Sequence, residues 1–221
     1  MKIGIIVAMD KELTLLLPLL SEPGKVSVGG RDYHTGRIGR HEVVVCKCGI
    51  GKVSAALGTA ALADTFHPAL IINTGVAGST GQGHPSLRVL DVMMPESIAY
   101  HDVWCGPGTV PGTMQGFPAH FDCPLPDNIR TQLGASGGLL ASGDIFVTEK
   151  TLRRVLETQP EALAVDMESA AIAQTCATRA VPFVCLRVIS DTPGDGKEYT
   201  DFWDKAPAKV FGCVEHLLQI L

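Results

Sequence analysis

The chain has 221 residues, 46% hydrophobic and 19% charged, which is enough to bury a core and too apolar for a disordered chain. A formal net charge of −5 without a basic stripe argues against a nucleic-acid partner and directs attention to small-molecule chemistry. Seven cysteines, an odd number with no C-x-x-C, read as reduced buried thiols rather than a disulfide frame or a zinc site. No metal or cofactor is expected. The apolar run 3–9 is stopped by Asp10, Lys11 and Glu12, too early for a membrane span, and it lacks a secretory cleavage pattern. A cytoplasmic protein is the expectation.

In chain order, residues 2–8 read as a buried strand and 11–20 as a helix that Pro18 distorts. Residues 25–28, 33–38 and 42–48 read as three strands joined by Gly-rich turns. An Ala-rich helix over 52–66 precedes a strand at 70–73, which ends in Gly75-Val76-Ala77-Gly78. Residues 89–99 read as one or two strands, and 100–126 as a long aperiodic loop rich in Gly and Pro. Beyond it come a strand-like segment at 138–147, a helix at 150–157, a strand at 162–165, a helix at 168–179 and a strand at 182–189. A helix over 201–221 closes the chain, with Pro207 near its first turns. Without a repeat or linker, the alternation predicts one α/β domain over 1–221, and the three early strands predict a mixed sheet.

Ligands in such sheets collect beyond the carboxyl ends of strands, so the strand ends are where chemistry is expected. Glu12 falls in the first helical turn after the first strand. Asp166-Met167-Glu168-Ser169 joins an apolar strand to a small-residue helix, and Ser190-Asp191 ends the strand that begins near Pro182. A carboxylate in such surroundings loses solvation unless it is paired, hydrogen-bonded or reserved for a ligand. Each acid also has an ordinary explanation: Glu12 and Glu168 as acids at a helix start, Asp191 as part of a turn with Thr192-Pro193-Gly194. Gly49-Ile50-Gly51-Lys52 either cradles an anion at a helix start or permits tight strand-to-helix packing. Gly75 and Gly78 fall short of a dinucleotide fingerprint, and no Walker lysine follows.

Jointly these junctions resemble one family. Ile3-Gly4-Ile5 with Ala8-Met9 and Glu12, Gly49-Ile50-Gly51-Lys52-Val53, and Ile72-Asn73-Thr74-Gly75 with Ala77-Gly78 are similar to the 5′-methylthioadenosine/S-adenosylhomocysteine nucleosidases. So are Ser142-Gly143-Asp144 with Phe146, Met167-Glu168, Arg187 and Ile189-Ser190-Asp191. The resemblance implies an α/β domain with a twisted mixed β-sheet flanked by helices, as in nucleoside phosphorylases. It also implies hydrolysis of an N-glycosidic bond.

In that reading Asp191 is the general acid at adenine N7, oriented by Ser190 and requiring a raised pKa. Glu12 is the general base for the attacking water, and Glu168 binds the ribose hydroxyls and favours the cationic sugar. Phe146 stacks on adenine and the Val147 backbone meets its edge. Ala77, Gly78 and Met167 line base and sugar, Gly78 by allowing close backbone approach. Met9, Ile50 and one of Tyr199 or Phe202 receive the 5′-alkylthio group, and Arg187 supports Glu168 or Ser190. The implied partners are a nucleoside substrate and a second copy of the chain, a homodimer in which the Val103/Trp104 segment reaches the neighbouring site. Asp166 departs from the glutamate common in the family, and residues 104–118 match poorly.

A nucleoside phosphorylase is the nearest alternative. It would need arginines near Asn73 and after the first strand, where Lys11 and Glu12 stand. A futalosine-type hydrolase shares the implied fold. A non-enzymatic nucleoside-binding module would need Glu168 but neither Glu12 nor Asp191.

Overall fold

A computed structural model describes residues 1–192, 202 and 207–221. The first strand, β1 (Lys2–Val7), is apolar along its length and leads into α1 (Asp10–Leu16), which tightens into a 3-10 turn at Leu17–Leu19 where Pro18 blocks its continuation. A meander follows: β2 (Ser21–Val28), fully exposed at the sheet edge, then β3 (Arg31–Ile38) and β4 (His41–Lys47). α2 (Lys52–Phe66) ends with His67 in the left-handed conformation. Next come β5 (Leu70–Ser79), β6 (Val92–Met93), β7 (Ser97–Tyr100), β8 (Phe121–Asp122), α3 (Asp127–Leu133) and β9 (Leu139–Ser142). The chain closes with α4 (Glu149–Thr158), β10 (Ala162–Asp166), α5 (Ser169–Thr178), β11 (Phe183–Asp191) and α6 (Pro207–Ile220).

Among the described residues these strands form one mixed sheet in the order β2-β3-β4-β1-β5-β10-β9-β7-β8, with β11 branching from β5 and β6 pairing with β11. Apolar residues of α2 and α5 cover one face, including Ala55, Leu62, Ile172 and Cys176. The other face packs Leu16, Ile129, Phe211, Val214 and Leu217 of α1, α3 and α6.

β5 creates the place for a site. Along one edge it pairs in parallel with β1 from Leu70 to Asn73, then antiparallel with β10 at Gly78 and Ser79. Residues 74–77 have neither neighbour on that edge, so the carboxyl ends of β1 and β10 face each other across the gap. On its other edge β11 runs parallel to β5 from Phe183↔Ile71 to Asp191↔Gly78. Three strand ends therefore meet within a few residues of one another.

Four expectations are corrected here. Asn73 to Gly78 is strand rather than a loop beyond residue 73, because β11 supplies hydrogen-bonding partners along the whole stretch. For the same reason Ser190 and Asp191 lie inside β11 instead of after it. The expected strand over 138–147 covers only Leu139–Ser142, and the segment expected to be loop contains β8, which pairs with β7.

Close packing explains Gly58 in α2. A Cβ there would stand 2.6 Å from Cys48 Cβ and 3.1 Å from its Cα. Gly→Ala inside a helix ordinarily gains about 1 kcal/mol. Here overpacking of about 1–3 kcal/mol opposes it, so Gly58→Ala is expected to lower the thermal midpoint. A raised midpoint would show that the Cys48 backbone yields to the new methyl group.

Candidate active site

Glu12 sits in the first turn of α1, buried at 1% exposure. Its Oε2 accepts the Ala8 and Met9 backbone N–H groups at 2.8 and 2.9 Å, and its Oε1 accepts Val76 N–H at 3.3 Å. The side chain thus reaches back over its own helix start and across to β5. Burial raises its pKa, although Arg187 and these N–H donors pull the other way.

Glu168 stands at the cap of α5, where β10 ends. Its Oε1 accepts Gly51 N–H at 2.9 Å, so the start of α2 does hold an anion, the protein's own carboxylate. Its Oε2 lies 4.0 Å from Arg187 Nη2, beyond hydrogen-bond length. Burial, and then the charge of Asp166, push the carboxyl up to about 7. Asp191 is buried at the end of β11, and Ser190 Oγ donates to its Oδ1 at 2.6 Å while also reaching Ala77 O at 3.3 Å.

Arg187 lies behind these acids, 1% exposed. Its Nη2 donates to Asn73 Oδ1 at 2.6 Å, to Ser169 Oγ at 2.8 Å and to Asp166 Oδ2 in a close ion pair. Burial works against its charge, but the carboxylates, Asp166 foremost, more than offset that and raise its pKa. Gly75 makes room for this arrangement, since a Cβ there would come within 2.4 Å of Arg187 Nη1 and 2.5 Å of Glu12 Oε1. Gly78, expected to be the close-approach glycine, has only ordinary contacts around such a Cβ, at 3.4 Å and beyond.

The structure brings most of the expected residues around one cleft. Glu12, Glu168 and Asp191 line it, with Met9, Ile50, Ala77, Gly78, Phe146, Val147, Met167 and Ser190. Phe146 and Ile50 are both more than half exposed, so neither is a core residue. Arg187 stands behind the wall rather than in it. Tyr199 lies outside the described residues. Phe202, its alternative, belongs to the apolar cluster around Val184 and Phe211 and does not line the cleft. Val103 and Trp104 do not line it either, and Trp104 is 62% exposed.

Sequence reasoning missed Ala8, Val76, Ile145 and Val165 as lining residues, and Asn73, Ser142 and Ser169 as partners of the buried charges. Asn73 was discoverable: it is a lone amide following the apolar run Leu70-Ile71-Ile72. The two serines looked like ordinary helix-start and strand-end hydroxyls.

The rim is tied together by charge. Lys52 Nζ bonds both oxygens of Asp102 at 2.8 and 2.7 Å, Lys52 N–H donates to Asp144 Oδ1 at 2.7 Å, and Asp144 N–H donates to Asp102 Oδ2 at 2.8 Å. This lashes the start of α2 to the segment that carries Phe146.

Residues 2–219 match the family model described as the phosphorylase superfamily. A 5′-methylthioadenosine/S-adenosylhomocysteine nucleosidase of Geobacillus thermodenitrificans is 40% identical over 88% of this chain and 86% of its own length. One from Staphylococcus aureus is 37% identical over 99% of this chain and 100% of its own. A crystal structure of the Streptococcus pyogenes S-adenosylhomocysteine nucleosidase with 5-methylthiotubericidin superposes with a TM-score of 0.91 at 35% identity, covering 100% of this chain and 97% of that one. Similarity of this degree over nearly the whole length means that the chain belongs to the 5′-methylthioadenosine/S-adenosylhomocysteine nucleosidase family of the phosphorylase superfamily.

Proposed function

We propose that this protein is an N-glycosyl hydrolase, a single nucleosidase domain over residues 1–221. It would convert 5′-methylthioadenosine and S-adenosylhomocysteine, with water, into adenine and the 5′-thio-substituted ribose. The observation that carries this reading is the convergence of Glu12, Glu168 and Asp191 on one cleft whose described lining holds no lysine or arginine.

Breaking the bond leaves positive charge on the sugar and negative charge on adenine, so an acid, a base and an anionic sugar site are needed together. Asp191, oriented by Ser190, would deliver a proton to adenine N7. Glu12 would take a proton from water at the sugar's anomeric carbon, helped by the burial that raises its basicity. Glu168 would accept the ribose hydroxyls through Oε2 and favour the cationic sugar. Phe146 would cover the base, with Val147, Ala77, Gly78 and Met167 around base and sugar. Met9 and Ile50 would receive the alkylthio group, for which soft apolar surface suits. Arg187 supports the acids from behind.

Phosphorolysis is disfavoured on the same grounds. Among the described lining residues a phosphate would meet Glu12 and no lysine or arginine, and Arg187 behind them is committed to Asp166, Asn73 and Ser169. A homodimer fits the apolar surface around the cleft mouth. Ile50, Val53 and Leu57 are exposed along one side of α2 and its approach, and Trp104 and Phe146 are exposed as well. In the dimer the Val103/Trp104 segment of one copy would help close the other's 5′ pocket. Among the described residues no helix is long and apolar enough to cross a membrane. Five of the seven free thiols are buried, and the reading proposed is a cytoplasmic enzyme of methionine salvage.

Incubation with methylthioadenosine is expected to release free methylthioribose whether or not phosphate is present. A sugar 1-phosphate formed only with phosphate would reject the hydrolase. Asp191→Asn should lower turnover by a factor of about 10²–10⁴, the worth of a general acid, while an adenine analogue still binds in calorimetry. Unchanged adenine release would remove Asp191 from its role.

The free enzyme needs Glu168 ionised, and its carboxyl sits near 7. The protonated form therefore accumulates as pH falls through neutrality, so kcat/KM should fall on the acid side with a midpoint near pH 7. A profile that stays flat into the ordinary carboxylate range would contradict the assignment.

A further inference from the structure

Asp166 is the acid of the Asp166-Met167-Glu168 segment that the mechanism does not use. Its side chain is 1% exposed although it borders the cleft. Both oxygens are taken. Ser142 Oγ donates to Oδ1, Ser169 Oγ donates to Oδ2, and Ser169 N–H lies 3.1 Å from Oδ2 and 3.3 Å from Oδ1. The Arg187 guanidinium donates to Oδ2 as well. The Asp166 backbone carbonyl accepts Gly143 N–H at 3.1 Å. A residue so completely engaged has no oxygen left for a ribose.

The consequence falls on its neighbour. Arg187 Nη2 is held by Asp166, Asn73 and Ser169, and Glu168 Oε2 is left 4.0 Å from it. A shift of about 1 Å would turn that approach into a charge-assisted hydrogen bond, which is among the strongest pairs a buried carboxylate can form. Glu168 would then meet its substrate with the sugar-facing oxygen already occupied. We propose that Asp166 is a positioning residue that anchors Arg187 away from Glu168, keeping Glu168 Oε2 open to accept the sugar hydroxyls. This rests on the hydrolase reading given above.

The charged and titratable groups that face Glu168 are Asp166 from β10, Arg187 from β11, Glu12 from α1 and Cys48 beyond β4, together with the Gly51 N–H at the start of α2. Asp166 raises the Glu168 pKa and Arg187 lowers it. Replacing Asp166 by a neutral isostere removes the raising charge and frees the lowering one, so both changes act in the same direction.

The test compares wild type, Asp166→Asn and Asp166→Glu in hydrolysis of methylthioadenosine across pH, with thermal midpoints recorded for each. Asp166→Asn is expected to raise KM about tenfold and to move the acid limb of kcat/KM down by about one pH unit. Asp166→Glu, which keeps the anchoring charge, should leave the limb at its wild-type position. An Asp166→Asn enzyme whose KM and acid limb superpose on wild type overturns the proposal whatever its midpoint. So does an Asp166→Glu enzyme that shifts the limb as far as Asp166→Asn does. If Asp166→Asn does not fold, an infrared difference titration of wild type against Glu168→Gln decides. A Glu168 carboxyl titrating near 7 supports an unpaired Glu168, and one titrating in the ordinary carboxylate range shows it already paired with Arg187. A wild type that releases no adenine defeats the hydrolase reading instead, and the infrared titration still judges the anchor.

Discussion

A guanidinium without access to solvent is the constraint around which this site is built. Arg187 points from the middle of β11 into a space bounded by Asp166, Asn73, Ser169 and, slightly farther away, Glu168. Removing such a charge from water costs several kcal/mol unless its donors are matched. Here a carboxylate, an amide and a hydroxyl share one terminal nitrogen. Gly75 is part of the same solution, because its missing side chain is the volume that Arg187 and Glu12 occupy. The hub lets several buried acids stand close together without all of them discharging.

Why the acids meet at all is a property of β5. It is longer than either strand on its gapped edge, so β1 and β10 run toward each other and stop. Glu12 follows one end, Asp166 and Glu168 the other, while Asp191 closes β11 across from Gly78. Glu12, Glu168 and Asp191 are held by backbone N–H groups or a neighbouring hydroxyl and not by a lysine. The cost is borne in stability. Glu12 and Glu168 both hold protons more tightly than a solvated glutamate, which means the ionised forms needed for activity are the disfavoured ones in the fold.

Much of this was legible in the sequence. Isolated acids after apolar runs stand out because burial of a charge demands a reason, and Glu12, Glu168 and Asp191 were found on that ground and assembled by the family resemblance. The mixed sheet was legible from the crowding of early strands. The length of β5 was not, because glycines interrupt the apolar run from Thr74 to Gly78 and only the pairing with β11, far along the chain, makes it a strand. The hub was not legible either. Asn73, Ser142 and Ser169 acquire their meaning from Arg187, between 18 and 114 residues away for the two of them that touch it, and side-chain pairing over such separations leaves no local signature. Asp166 shows the same limit: sequence marks it as an acid in apolar surroundings but cannot say whether it faces a ligand or an arginine.

The dependence on Arg187 is tested most directly by the thermal midpoint of Arg187→Met measured as a function of pH. Methionine fills the space but leaves Asp166, Glu168 and Glu12 without their cation, so the folded pKa values of Glu168 and Glu12 rise further above those of the unfolded chain. The variant then loses stability as pH climbs from the ordinary carboxylate range through neutrality, by about 3–5 kcal/mol relative to wild type on the alkaline side and by less in acid, where the carboxyls are protonated. A variant that melts with wild type at every pH, or whose deficit is the same in acid and alkali, would contradict the account.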